Sequence, residues 1–138
     1  MATVIKGKDL GYYDHYKKSA GNLQFGIDKK TVENPGMVMG HTLYLHCPPG
    51  WRGRRHYHAN CSTGMYRIKG HGRYLVGPDY DMKEVDVGPG DFLFIPQGEI
   101  HGPMNPSNAD MEWELVFCYI GVNSPEEAIT IYIDPPSK

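Results

Sequence analysis

Two short patterns near the middle of the chain constrain its fold more than any other feature. The first is Gly50-x5-His56-x-His58, followed by a strand-like run that ends at Gly70. The second is Gly90-x5-Pro96-x-Gly98-x2-His101-x3-Asn105. In a strand, side chains at i and i+2 point to the same face. His56 and His58 on one strand therefore aim two imidazoles at one point. His101, on a second strand-like run after a Pro/Gly turn, is placed to supply a third. Three imidazoles converging inside a barrel of strands suit a divalent transition metal, since a neutral ring nitrogen ligates zinc, iron, nickel and copper alike.

Together the two patterns resemble the paired motifs of the cupin superfamily, G-x5-H-x-H-x(3,4)-E-x6-G and G-x5-P-x-G-x2-H-x3-N. The second motif is matched at every fixed position, the first at Gly50, His56, His58 and Gly70. Counting back seven from Gly70 lands on Thr63, with Ser62 before it, where the motif carries glutamate. The resemblance covers residues 36 to 121. It implies an all-β fold, the cupin double-stranded β-helix or jelly-roll barrel, as a single barrel over 36–138 with an arm over 1–35. It also implies metal ligation by His56, His58 and His101.

Without the acid, three neutral imidazoles leave an ion its full charge and two or three open positions. A fourth ligand from elsewhere is the alternative. His41 is the first candidate, on the strand before the His56 strand, and Glu112 or Glu114 is the second.

Composition narrows the remaining possibilities. The length, 138 residues, suits one domain with one core, and 17 Gly with 11 Pro fall between apolar runs, as many short strands require. A net charge of −2 gives no electrostatic reason to expect nucleic acid or an anionic membrane as partner. No apolar run approaches a membrane span of about 18 residues, and the N-terminus lacks the apolar segment of a signal peptide. Three scattered cysteines make no disulfide framework, so a cytoplasmic location is expected. Arg52, Arg54 and Arg55 form the one basic knot, read as a solvated loop rim or as a gate for an anionic substrate.

Taken in order, the chain predicts a tyrosine-rich turn or irregular arm over 9–18, an edge strand over 22–27 and a turn at 33–36. Met37 to Cys47 alternates, with His41, Leu43, Leu45 and Cys47 on one face and Thr42, Tyr44 and His46 on the other. Strands follow at 54–58 and 64–69, then a hairpin of 73–77 with 84–87. Phe92 to Ile95 is apolar at every position, which predicts burial on both faces. Met111 to Ile120 is a long strand. Ser124-Pro125 opens a brief helix, and Ile129, Ile131 and Ile133 alternate as a final strand.

Regular alternation after the first motif puts Thr63, Met65 and Arg67 on the inward face, where a lone arginine is costly unless paired. It then binds a substrate carboxylate or enolate, or pairs with Glu112 or Glu114; a bulge that places it outside is the alternative. Thr63, Met65, Arg67, Phe94, Trp113 and Phe117 are the candidate pocket wall, and Phe92 belongs with the core aromatics. His41, Arg67 and Glu99 are the candidate catalytic groups, Glu99 as an acid that orients the His101 imidazole or as a plain turn residue. Cys61 reads as a plain buried or loop thiol, since no general base lies beside it; His15 and His71 read as surface residues.

The functional expectation is a metal-dependent enzyme acting on a carbonyl or enol substrate, with zinc or iron as cofactor and nickel, cobalt, manganese and copper also compatible. Among His-only members of the family the resemblance points to the small polyketide cyclases. A non-heme dioxygenase is the alternative, and a non-catalytic metal- or ligand-binding module comes next. The expected partners are a small organic substrate and a second copy of the chain in a homodimer, with no nucleic acid and no membrane.

Overall fold

The structure of the protein, a computed structural model, describes residues 2–12 and 21–136. Part of the arm expected over 9–18, and His15 with it, lies outside the described residues. Among the described residues ten strands follow in chain order: β1 (Gly21–Ile27), β2 (Met37–Cys47), β3 (His56–His58), β4 (Ser62–Lys69), β5 (Gly72–Gly77), β6 (Lys83–Val87), β7 (Phe92–Ile95), β8 (Ile100–Met104), β9 (Met111–Ile120) and β10 (Thr130–Tyr132). Among these residues helical backbone is confined to two short 3-10 turns, Gly7–Asp9 and Pro125–Glu127. The second is the helix start at Ser124: its hydroxyl accepts from the Glu127 amide at 3.3 Å, and Pro125 sits where a missing N–H costs nothing.

The strands pair antiparallel into two five-stranded sheets, ordered β1-β2-β9-β4-β7 and β10-β3-β8-β5-β6, the jelly-roll expected. Directly opposed residues share a face, so the register sets what enters the interior. Across the first sheet one inward row runs Val38, Tyr119, Thr63 and Ile95. The next is Gly40, Phe117, Met65 and Leu93, and the next Thr42, Leu115 and Arg67. Leu23, Phe25, Val38, Cys61, Leu115, Phe117 and Val122 form one buried cluster; Tyr44, Cys47 and Trp113 form another towards the far end of the barrel.

Three strand faces differ from the sequence expectation. In β2 the inward set is Val38, Gly40, Thr42 and Tyr44, so His41, Leu43 and Leu45 face outward; a register shift between Tyr44 and Cys47 then returns Cys47 to the interior. β7 lies at a sheet edge, and its outer face is bare, with Phe92 82% and Phe94 61% exposed. Continuous apolarity in β7 therefore does not report burial on both faces within one chain. In β10 Ile131 points outward and is exposed, as is Ile129 just before the strand, which leaves Thr130 and Tyr132 on the face towards β3's histidines.

Two motif residues fix the loops. Gly70 has φ of 88°, and a Cβ there would sit 2.3 Å from the Glu112 carbonyl oxygen, so only glycine fits. Asn105 is buried, and its amide nitrogen donates to the carbonyls of Cys47, Pro48 and Ala109 at 2.7, 3.1 and 3.0 Å. It ties the end of β2 to the β8–β9 loop and so anchors the strands that carry the histidines.

Candidate metal centre

β3 and β8 are neighbours, and in their register His56 faces His101. The i, i+2 spacing in β3 then puts His58 on the same face. The His56 and His101 ring centroids are 4.3 Å apart, and His58 lies 5.1 Å from His56 and 5.3 Å from His101. One ring nitrogen from each of the three falls within 4.8 Å of the others. Small ring rotations bring such a set onto one ion at metal–nitrogen distances of about 2.0–2.1 Å. His58 and His101 are buried while His56 is partly exposed, so the site opens to solvent on the His56 side.

The hydrogen bonds select which nitrogens face inward. Nδ1 of His56 lies 2.8 Å from the Arg54 carbonyl oxygen, and Nδ1 of His101 lies 3.0 Å from that of Glu99. A carbonyl only accepts, so each Nδ1 carries the proton and each Nε2 keeps its lone pair free. Nδ1 of His58 is held by the Thr130 hydroxyl at 3.1 Å, which directs its Nε2 inward too.

Burial lowers the proton affinity of all three, and the charges the rings would place on one another add to it: His58 falls to about 4 and His101 to about 3. His56 is lowered by burial and, more weakly, by the Arg54 charge, against the opposing Arg54 carbonyl. The imidazoles are thus neutral near pH 7, the state in which they ligate a metal. The donor set fits a borderline transition ion held by nitrogen, with no protein carboxylate joining it among the described residues.

The other candidate residues divide by strand face. Thr63, at the glutamate's place, is inward and buried, and its hydroxyl has no hydrogen-bond partner among the described residues. Its row neighbour Tyr119 stands 5.0 Å, ring to ring, from His58. Met65 and Phe117 line the interior one row further in, and Trp113 closes the far cluster.

Arg67 is inward and 0% exposed, with its guanidinium 4.3 Å from the Trp113 ring and, among the described residues, no well-formed hydrogen bond from its nitrogens. Burial lowers its pKa, and the nearby Tyr74 phenol opposes that shift. It lies four residues from Thr63, about 13 Å along an extended strand, and its contacts are at the end of the barrel away from the histidines. The expected pairing with Glu112 or Glu114 does not form: Glu112 bonds Lys69, and Glu114 bonds His41 at 2.7 Å, all on the outside.

Three placements correct the sequence reading. His41 faces outward from β2 and is held by Glu114, so neither is a fourth ligand, nor is His41 a catalytic group of this site. Phe94 is on the outer face of an edge strand and lines no inner pocket. Glu99 acts on His101 through its backbone carbonyl and not its carboxylate. Cys61 is a buried thiol whose pKa burial raises, and His71 is an exposed residue near Asp86.

The mouth of the site is built from residues that the motifs do not contain. β10 pairs with β3 so that Thr130 opposes His58 and Tyr132 opposes His56, with 5.5 Å between the Tyr132 and His56 rings. The Arg54 guanidinium lies 3.7 Å over the Tyr132 ring and donates to the Asp134 carbonyl at 3.1 Å. Arg55, by contrast, is neutralised by Asp134 and Asp79. Of the three arginines of the basic knot, Arg55 is thus compensated, Arg52 bridges Met104 through its backbone, and Arg54 has no ion pair with a carboxylate among the described residues. The signal for Thr130 and Tyr132 was present as the polar half of the final strand's alternation.

Comparison with known proteins agrees with this fold. A polyketide cyclase, RemF of Streptomyces resistomycificus, superposes with a TM-score of 0.68 at 17% identity, covering 99% of this chain and 88% of that one. An oxalate oxidase in complex with glycolate gives 0.63 at 15%, covering 84% and 56%. A mutant oxalate decarboxylase of Bacillus subtilis gives 0.69 at 16%, covering 96% of this chain and 34% of that longer one. At such identities the likeness is one of fold. No curated protein sequence matches the chain. The model of the cupin domain family matches residues 43–118, more than half of the chain and both histidine motifs within it, and the protein belongs to that family.

Proposed function

We propose that the protein holds one divalent transition ion, zinc or iron, on Nε2 of His56, His58 and His101, and acts on a small organic molecule bearing a carbonyl or enol. Ring closure of a polyketide-like chain is the reaction class favoured. The observation that carries this reading is the convergence of three neutral imidazoles with no carboxylate among them. When bound, such an ion supplies Lewis acidity towards a carbonyl oxygen and keeps positions open for substrate.

The chain's own residues do the rest. The carbonyls of Arg54 and Glu99 and the Thr130 hydroxyl fix the three rings, so little reorganisation accompanies binding. Tyr119 and Tyr132 flank the histidines with aromatic surface, suited to a flat or conjugated substrate. Arg54 stands at the mouth with its charge directed towards His56's surroundings, where it favours an enolate or carboxylate over a neutral group. Burial of the inner wall excludes water from the far side of the site.

A second reading, an oxygenase, is favoured by one feature: an all-imidazole set leaves more than one open position, enough for a substrate and O₂ together. Both are tested with the zinc- and iron-loaded protein and a panel of β-diketone and poly-β-keto compounds, following product by mass spectrometry and oxygen by electrode. Cyclised, dehydrated products without oxygen uptake support the proposal, and oxygen consumed in step with substrate selects the oxygenase. Metal-loaded protein that leaves the ultraviolet spectra of these enolic compounds unperturbed contradicts both.

A further inference from the structure

β10 carries two of the groups that shape the histidine site, yet little of its own structure holds it there. It is the end strand of its sheet and only three residues long, paired with the equally short β3. Three residue pairs at an edge offset little of the entropy lost on ordering a strand. Apolar burial adds little more, since Ile129, Ile131 and Tyr132 are 50%, 40% and 43% exposed.

Two polar fastenings supply the rest. Ahead of the strand, the Asn60 side chain accepts from the Ile129 amide at 2.9 Å and donates to the Glu127 carbonyl at 2.8 Å. Behind it, Arg55 grips Asp134 twice over. The Arg55 backbone amide donates to one carboxylate oxygen at 2.9 Å, and its guanidinium donates to the other at 2.8 Å. The Arg55 carbonyl in turn accepts from the Ile133 amide at 2.9 Å. Because one residue brings both backbone and side chain to this charge-assisted clasp, it fixes the position of the strand's end and its direction together.

Three contacts carry the clasp to the histidines. Arg55 is joined by a peptide bond to His56, the first residue of β3. Its side chain crosses β8 at Gly102, next to His101, where an added Cβ would sit 3.2 Å from the Arg55 Cγ. The absent side chain lets the arginine lie close against the second ligand-bearing strand. The far end of the guanidinium donates to Asp79 at 2.8 Å, in the turn between β5 and β6, which anchors it to the body of the sheet.

We propose that Arg55 and Asp134 are positioning residues of the histidine site: their clasp holds β10 against β3, and so places Thr130 on His58 and Tyr132 beside His56. The inference rests on the reading of the three histidines as a metal centre. Neither residue is a ligand. With the clasp released the end of β10 lifts, so that His58 loses its orienting hydroxyl and His56 its aromatic neighbour.

Hydrogen exchange on the metal-free, full-length protein is the first arm of the test. Asp134→Ala removes the clasp, while Asp79→Ala removes the other ion pair of Arg55 and spares the link to β10. Asp134→Ala is expected to speed exchange of the amides at 56–58 and 130–133 by about 10-fold, with β2 and β9 as in the wild type and Asp79→Ala little changed. The second arm loads zinc and follows its release to excess chelator, expected to be about 10-fold faster in Asp134→Ala than in the other two proteins. Exchange that is unchanged in Asp134→Ala, or faster throughout the barrel, would overturn the proposal. An equal effect of Asp79→Ala, or zinc release that does not follow the exchange, would overturn it too. A wild type that takes up no zinc would contradict the metal reading instead, and the exchange arm alone would then decide whether the clasp places β10.

Discussion

At the scale of single residues, the three histidines form a cluster that burial keeps neutral, the state in which it could hold a metal. His58 and His101 hold folded-state pKa values of about 4 and about 3 in the absence of an ion, below an ordinary value near 6.5. Their contribution to stability is therefore complete above about pH 6.5 and is lost as pH falls through 4 towards 3, because the unfolded chain takes up these protons first. Metal-free protein should show a thermal midpoint that drops steeply between pH 6 and 4, while His58→Gln/His101→Gln flattens that slope. A midpoint equally acid-sensitive in the double variant would place the titration elsewhere.

Arg67 tests a different balance. Its guanidinium is sealed against Trp113 with no carboxylate near it among the described residues, so desolvation outweighs what the ring and Tyr74 return. Arg67→Met, which keeps the length and removes the charge, should leave stability unchanged or raise it by about 1–2 kcal/mol in urea unfolding. A loss of similar size would mean that a compensating anion or water is held there.

At the scale of elements, β10 is the strand that most affects the site without supplying a ligand. Thr130 holds the His58 ring in place, so Thr130→Val should weaken metal affinity about 10-fold or more while the fold persists, as loss of a ligand's orienting partner does elsewhere. Equilibrium titration against a chelator measures it, and unchanged affinity would show that packing alone orients His58.

The same strand shows what was legible in the sequence and what was not. The i, i+2 histidines and the motif glycines report local geometry, since spacing and a positive φ are properties of a few adjacent residues. Which face of an alternating strand turns inward is not local. It depends on register with a partner, and in β2 the shift between Tyr44 and Cys47 breaks the simple alternation that would put His41 and Cys47 on one face. Continuous apolarity in Phe92–Ile95 misleads for a related reason, because an edge strand of one chain has an uncovered face that its sequence cannot assign. Arg54 was visible only as charge; its place over Tyr132 needs the pairing of β10 with β3.

At the scale of the whole molecule, the barrel acts as a rigid frame. The first sheet supplies the core, the second supplies the three candidate ligands, and Asn105 and the motif glycines fix the loops between them. This separation means that ligand removal should affect the ion much more than the fold. The measurement that tests the central claim most directly is the metal content of protein purified without added metal or chelating resin. It is compared among the wild type, His101→Ala and the outer-face variant Glu114→Gln. The expected result is near one transition ion per chain for the wild type and for Glu114→Gln, and none for a still-folded His101→Ala. A wild type that carries no transition metal and takes none up on titration, or a His101→Ala variant that retains its ion, would contradict the account.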